Sequence, residues 1–405
     1  MIRQRKSDSL PHKSSSDPAP QSPPTINKPT MADLLFLIMS LVSFIITSVS
    51  ADSTVNIDCG ATDSFVDSNF IAWEADEAPT GQSQTVQNPT SVAHELSTLR
   101  VFSGSRKKNC YSISVDKGTK VLVRAAFHYG NYDKESSPPT FDLQLDGNHW
   151  ATVTTLLDEP VTYEAIYVPK GGSTSVCVAQ TKPNQLPFIS SVEARALDDG
   201  MYNDIDASHA LFLVGRYAYG AADIVRFSDD AYDRIWRPSP AGVGLTAVTS
   251  TAISINTSVA DDPPQAVLQA ALTTSSASAA DSIVLSAGIT LPTTALPVYA
   301  NLYFSEVAQL DFTEKRSINV LLNNKIMNDQ PIVPIYEGVV ETVLYNITAD
   351  ASSKLTLVSA SDSTLPPIIN ALEFFTVSGV LSDGTNSDDG EPPFDPHSSS
   401  SSCAQ

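Results

Sequence analysis

The residues best placed to do chemistry form one run, Phe127-His128-Tyr129-Gly130-Asn131-Tyr132-Asp133, in which rings alternate with small polar groups. Aromatic faces stack on the C–H surfaces of sugar rings, while Asp, Asn and backbone groups bond the hydroxyls, so Tyr129, Asn131, Tyr132 and Asp133 form a candidate carbohydrate site. The other reading is that these rings are ordinary packing and loop aromatics. A second candidate is a groove between two modules that would use Tyr217 and Tyr219 in GRYAYG together with Tyr232 in AYDRIW. Trp73 and Trp236 read as core or interface residues.

Nothing in the sequence arranges groups for catalysis. It has no GxSxG elbow, HExxH helix, phosphate-loop lysine motif or kinase signature. Carboxylates are plentiful, yet nothing sets two of them across a cleft as glycoside hydrolysis needs. No Cys/His spacing suggests zinc, so neither a metal nor a cofactor is expected. With 24 Lys+Arg against 45 Asp+Glu the net charge is −21, which would repel a phosphate backbone and argues against a nucleic-acid partner.

The elements that must position these residues read as short strands. Lys120 to Phe127, Phe141 to Leu145, Tyr163 to Val168 and Ser175 to Ala179 are each rich in β-branched or aromatic residues, and Asp146-Gly147-Asn148 marks a tight turn. Three segments recur about 180 residues further on, the mark of a repeated module. FDLQLDG (141–147) returns as INVLLNN (318–324), VLVRAAF (121–127) as VYANLYF (298–304), and LPFISSVE (186–193) as LPPIINALE (365–373). The expected organisation is therefore all-β, with a first module over 52–199, a polar junction near 198–203, a second module over 200–377 and a flexible tail over 378–405.

Residues 34–49 form an apolar run that ends in small residues, which reads as the core of a signal peptide or signal anchor within 31–51, behind a disordered extension over 1–30. Either way the remainder would enter the secretory path, as an extracellular, cell-wall or single-pass membrane protein. Asn256-Thr257-Ser258 and Asn346-Ile347-Thr348 are glycosylation sequons in keeping with that passage. Cys59, Cys110 and Cys177 lie in strand-like contexts and call for one disulfide and one buried thiol, with the pairing open.

Taken in order, Asn56-Ile57-Asp58-Cys59-Gly60, Lys108-Asn109-Cys110-Tyr111, the run 141–147, Pro187 to Glu193 and Asp229-Asp230-Ala231-Tyr232-Asp233-Arg234-Ile235-Trp236 resemble the malectin-like ectodomain of plant leucine-rich-repeat receptor-like kinases, over about Val55 to Asp389. The resemblance implies two tandem jelly-roll β-sandwiches related to a sugar-binding lectin. It also adds Phe102 to the candidate site and sets Asn131 and Tyr132 where that lectin carries an aromatic pair. In the second copy Ala308 and Gln309 stand there, so the first copy is the expected sugar binder. After Asp389 the sequence departs from the family, in which repeats, a membrane span and a kinase follow.

The functional expectation is an extracellular protein that binds an oligosaccharide or cell-wall glycan. Its alternative is a decoy or co-receptor for a peptide or a receptor kinase.

Overall fold

The computed structural model describes residues 2–6 and 54–389, apart from 77, 79, 105–106, 240–241, 276–281, 286–288 and 387–388. Among these residues the chain is almost entirely β. Its one α-helix is the single turn Gln265–Leu268, and short 3-10 turns occur at Pro89–Ser91 and His94–Leu96.

The repeated segments occupy matching places in the sheets. Val121–Phe127 runs between Ser191–Ala196 and Val161–Tyr167, and its counterpart Leu296–Glu306 runs between Ala371–Val377 and Val340–Ala349. Thr140–Leu145 sits between Asn148–Thr154 and Ser173–Ala179, as Ile318–Leu322 sits between Lys325–Ile326 and Leu355–Ser359. The turns match as well. Asp146 (φ 49°) and Gly147 (φ 77°) close the first hairpin, and Asn323 (φ 51°) and Asn324 (φ 65°) close the second. Positive φ at both central positions suits the right-handed twist of the strands, which is why Asp, Asn and Gly stand there.

Alternation along each strand sends one side-chain set into a core. Val121, Val123, Ala125 and Phe127 join Ile57, Phe141, Leu143, Val176, Val178 and Val192 in one cluster. Val298, Ala300, Leu302 and Phe304 join Ile318, Val320, Val340, Leu344 and Leu357 in another. The opposite parity is buried too. Leu122, Ile166, Met201, Tyr202, Leu211, Tyr299, Val343 and Phe375 form a third cluster, built from both halves of the chain.

That third cluster exists because a single sheet of thirteen strands passes through both halves. Leu211–Tyr219 pairs with Val161–Tyr167 through Ala165↔Phe212 and Ile166↔Leu211, and on its other side with Ala371–Val377. The polar junction expected near 198–203 is only partly so. Asp198 and Asp199 are exposed, whereas Met201 and Tyr202 are buried beneath the sheet.

Part of the stretch expected as a flexible tail also packs. Leu381 enters the first core, Lys170 Nζ donates to the Leu381 and Ser382 carbonyls at 2.7 Å, and the buried Asp389 meets Lys108 at 2.6 Å. A few polar anchors and one leucine thus hold a segment whose composition alone would leave it solvated. Residues 390–405, and the expected extension and signal segment over 7–53, lie outside the described residues.

Candidate ligand-binding surfaces

Val121–Phe127 carries the core parity beyond its own end, and this fixes the fate of the first candidate site. Tyr129 shares the face of Ala125 and Phe127, and its ring is fully buried among them. Tyr132 folds back at 5.4 Å from Tyr129 and 5.9 Å from Phe188, both edge-on. Between the two, Gly130 (φ 47°) passes so close to Val86 that a Cβ would lie 2.5 Å from that side chain, so only glycine fits.

The polar groups of the loop hold the loop. Tyr129 Oη donates to Asp133 Oδ1 and accepts from the Ser137 amide at 3.2 Å. Asn131 Oδ1 accepts from the Ser136 amide at 2.8 Å, and Asp133 Oδ1 also takes the Glu135 amide at 3.0 Å. Burial, aided by the Asp133 carboxylate, pushes the Tyr129 phenol up to about 12. Phe102 is 5% exposed and belongs to the first core. The structure therefore gathers Tyr129, Asn131, Tyr132 and Asp133 into one loop, with only Tyr132, Asn131 and Asp133 reaching solvent.

The second candidate set does not share one face. Tyr219 is buried and Tyr217 half-buried on the core of the second half. Tyr232 packs against the cluster built from both halves, with the Arg234 guanidinium 5.5 Å from its ring. Two cavities lie elsewhere. One of about 70 Å³ is lined by Lys120, Tyr167, Asn203, Asp206 and His209. The other, of about 220 Å³, is lined by Ile289, Leu291, Leu322 and Phe374 together with Asp350 and Lys354. Neither contains a residue of the two candidate sets.

The Asp229–Trp236 segment is architectural. Asp230 Oδ2 accepts from Arg234 Nε and Trp236 Nε1, both at 2.8 Å. Trp73 and Trp236 are both buried. The reducible groups resolve as well: Cys110 and Cys177 stand opposite one another on paired strands and form a disulfide, and Cys59 is a buried thiol.

A polar cluster that the sequence did not reveal surrounds that thiol. Asp76 Oδ2 accepts from the Gly60 amide and from Tyr111 Oη, each at 2.8 Å, and pairs with Arg100. Burial pushes the Cys59 thiol well up, so it stays protonated and unreactive. Next to it Asp58 Oδ1 takes the Thr98 hydroxyl at 2.6 Å, while Oδ2 lies 3.5 Å from His94 Nδ1.

Burial, only partly offset by Thr98 and His94, raises Asp58 from 3.8 to about 6. A carboxyl whose folded value is raised favours the fold while protonated. Its contribution is complete below pH 3.8 and is lost as pH rises through about 6. Asp58→Asn keeps the acceptor for Thr98 and removes the buried charge. It is expected to stabilise the protein at pH 8 by about 2 kcal/mol and to have little effect at pH 4, read from urea midpoints at the two pH values.

Residues 57–377 match the malectin-like domain. The chain belongs to the malectin-like family. It is 39% identical over 358 residues to the uncharacterized protein At1g24485 of Arabidopsis thaliana, covering 87% of this chain and 70% of that one. It is 31% identical over 369 residues to the probable LRR receptor-like serine/threonine-protein kinase At1g51810 of the same plant, covering 88% of this chain but 41% of the kinase.

Among solved structures, the plant receptor-like kinase FER superposes with a TM-score of 0.67 at 18% identity, over 82% of this chain and 99% of that one. A complex of the plant peptide RALF23 with FER and LLG2 gives 0.65 at 17% identity, over 82% and 96%. At these identities the superpositions establish the fold. No helix among the described residues is long and apolar enough to cross a membrane, and residues 34–49 lie outside them. Asn256 and Asn346, the sequon residues, are both exposed.

Proposed function

We propose that this malectin-like chain is a non-catalytic extracellular binding protein whose ligand is a peptide or a protein partner. The observation that carries this reading is the commitment of the nominated sugar-binding groups to the fold. Phe102 and Tyr129 are core side chains, and Asn131 and Asp133 hold their own loop. What remains is one half-buried ring, Tyr132, which is less than a stacking platform. The crystal structure of the peptide RALF23 in complex with FER and LLG2 supports the same direction for a ligand.

The organisation behind this reading is two jelly-roll modules, 52–199 and 200–377, delivered to the lumen by the segment at 31–51 and carrying N-glycans at Asn256 and Asn346. A second reading, binding of a cell-wall glycan, draws on Tyr132 and the exposed Asp133, which lie side by side on the first loop.

Calorimetric titration of the secreted protein separates the two. RALF23 peptide, with and without LLG2, is expected to bind saturably and to be indifferent to millimolar glucan and pectin fragments. Tyr132→Ala is expected to leave this binding within about two-fold, as for a surface change away from the contact. Glycan binding that Tyr132→Ala abolishes, without any peptide or protein binding, would overturn the proposal.

A further inference from the structure

On one side of the thirteen-stranded sheet the last strand but one is Val340–Ala349, ten residues long. Its inner side pairs with Leu296–Glu306. Long apolar edges are a hazard in β proteins, because a row of free N–H and C=O groups invites another strand. Here the edge is treated in two ways. Near its far end a bulge opens opposite Tyr299, where the register shifts between Val298 and Ala300 and Asn346 takes φ 54°, which bends that part of the strand away.

The straight part, Val340–Leu344, is instead covered by Ile2–Lys6 in antiparallel register, from Ile2↔Leu344 to Lys6↔Val340, with Arg5 opposite Glu341. The covering strand reads Ile-Arg-Gln-Arg-Lys, three cations in five residues of a chain whose net charge is −21.

Under the secretory reading above, on which this inference rests, the apolar run at 34–49 separates Ile2–Lys6 from the folded part of the chain. Cleavage would remove that strand, and anchoring would leave it across the membrane. The edge at Val340–Leu344 would then lack a partner. We propose that this edge is the docking strand for an extended cationic segment of a peptide ligand, which adds to the sheet as Ile2–Lys6 does. Main-chain bonds supply the affinity in such strand addition, and the charge of the incoming side chains supplies the selection. A second copy of this chain is the poorer occupant, since two bodies of charge −21 repel one another.

The test uses the secreted protein, with its N-terminus read by intact mass, and a labelled synthetic peptide of residues 1–8 as probe. Saturable binding is expected, with slowed hydrogen exchange at the amides of 340–344. A Gln4→Pro/Arg5→Pro/Asp8→Asn peptide keeps the net charge but loses a ladder donor whichever of the two successive amides faces the edge, and is expected to bind about ten-fold more weakly. If the secreted protein retains residues 2–6, the same substitutions in the chain should deprotect 340–344 and open it to the added peptide.

Equal binding of the proline peptide, protection elsewhere, or a concentration-dependent dimer that protects 340–344 without peptide would each overturn the inference. A protein that fails here yet binds RALF23 leaves the peptide-binding reading standing.

Discussion

Replacing Arg216 by alanine should cost about 3–5 kcal/mol, the usual penalty for stranding buried carboxylates, seen as a lower denaturant midpoint followed by fluorescence and by far-UV dichroism together. Arg216 is buried between the halves and bridges them. Its Nη2 meets Glu164 Oε1 and its Nε meets Glu373 Oε1, each at 2.7 Å. Glu164 in turn holds Arg124 at 3.0 Å, and Arg124 reaches Glu193 at 3.0 Å and Asp233 at 3.1 Å. One chain of charges thus runs from strands of the first half, through Arg216, into Ala371–Val377, with a branch from Arg124 to Asp233 in the Asp229–Trp236 segment.

Pairing outweighs desolvation at its centre. Burial on its own would raise the Glu164 carboxyl, but Arg216 and Arg124 bring it below its ordinary 4.5. Asp233 is likewise held low: burial opposes this, and the Arg226 hydrogen bond with the Arg124 charge overcomes it. For carboxyls with depressed folded values, stability is whole above the unfolded value and is lost as pH falls below it. The wild-type protein should therefore lose stability below about pH 4.5 on this account, and Arg216→Ala should flatten that acid limb. Arg216→Ala with Glu164→Gln should recover part of the loss, because the amide removes one of the two buried carboxylates that Arg216 pairs, while Glu373 keeps its charge. An additive double variant would show that the pair is not coupled.

Strand positions, the repeat and the turn residues could be read from the sequence because they are local. Alternation, β-branching and Asp-Gly at a hairpin tip act over a few residues. The bridging charges could not be read in that way. Arg124 looks like a solvent-facing position in an alternating strand, yet both faces of Val121–Phe127 are covered. One signal was present: VLVRAAF is apolar at both parities, which is the pattern of a strand buried on both sides.

The candidate site shows the same limit. Tyr129 continues the parity of Val123, Ala125 and Phe127 and so belongs to the core, whereas its place in a run of rings and polar groups left sugar contact and packing both open. Which of Cys59, Cys110 and Cys177 would pair depended on strands 67 residues apart, and only the register of the sheet decides that.

That register carries the second large effect. The Cys110–Cys177 bridge closes a loop across a sequence separation of 67, for which chain entropy gives about 4 kcal/mol. The double variant Cys110→Ser/Cys177→Ser should lose about that much stability in urea, and reductant should shift the wild-type midpoint toward it while leaving the variant unmoved. Part of the loss should be local. Both sulfurs lie 4.0 Å from Asp389 Oδ1, and Asp389 also bonds Lys108, at 2.6 Å, and Ser175, at 3.2 Å. The bridge therefore aligns the two strands on which the C-terminal strap is seated. Hydrogen exchange should accordingly quicken at 381–386 in the double variant before the strands of the second half respond. Uniform quickening through the whole chain would mean that the bridge acts on the unfolded ensemble alone, with no separate hold on the strap.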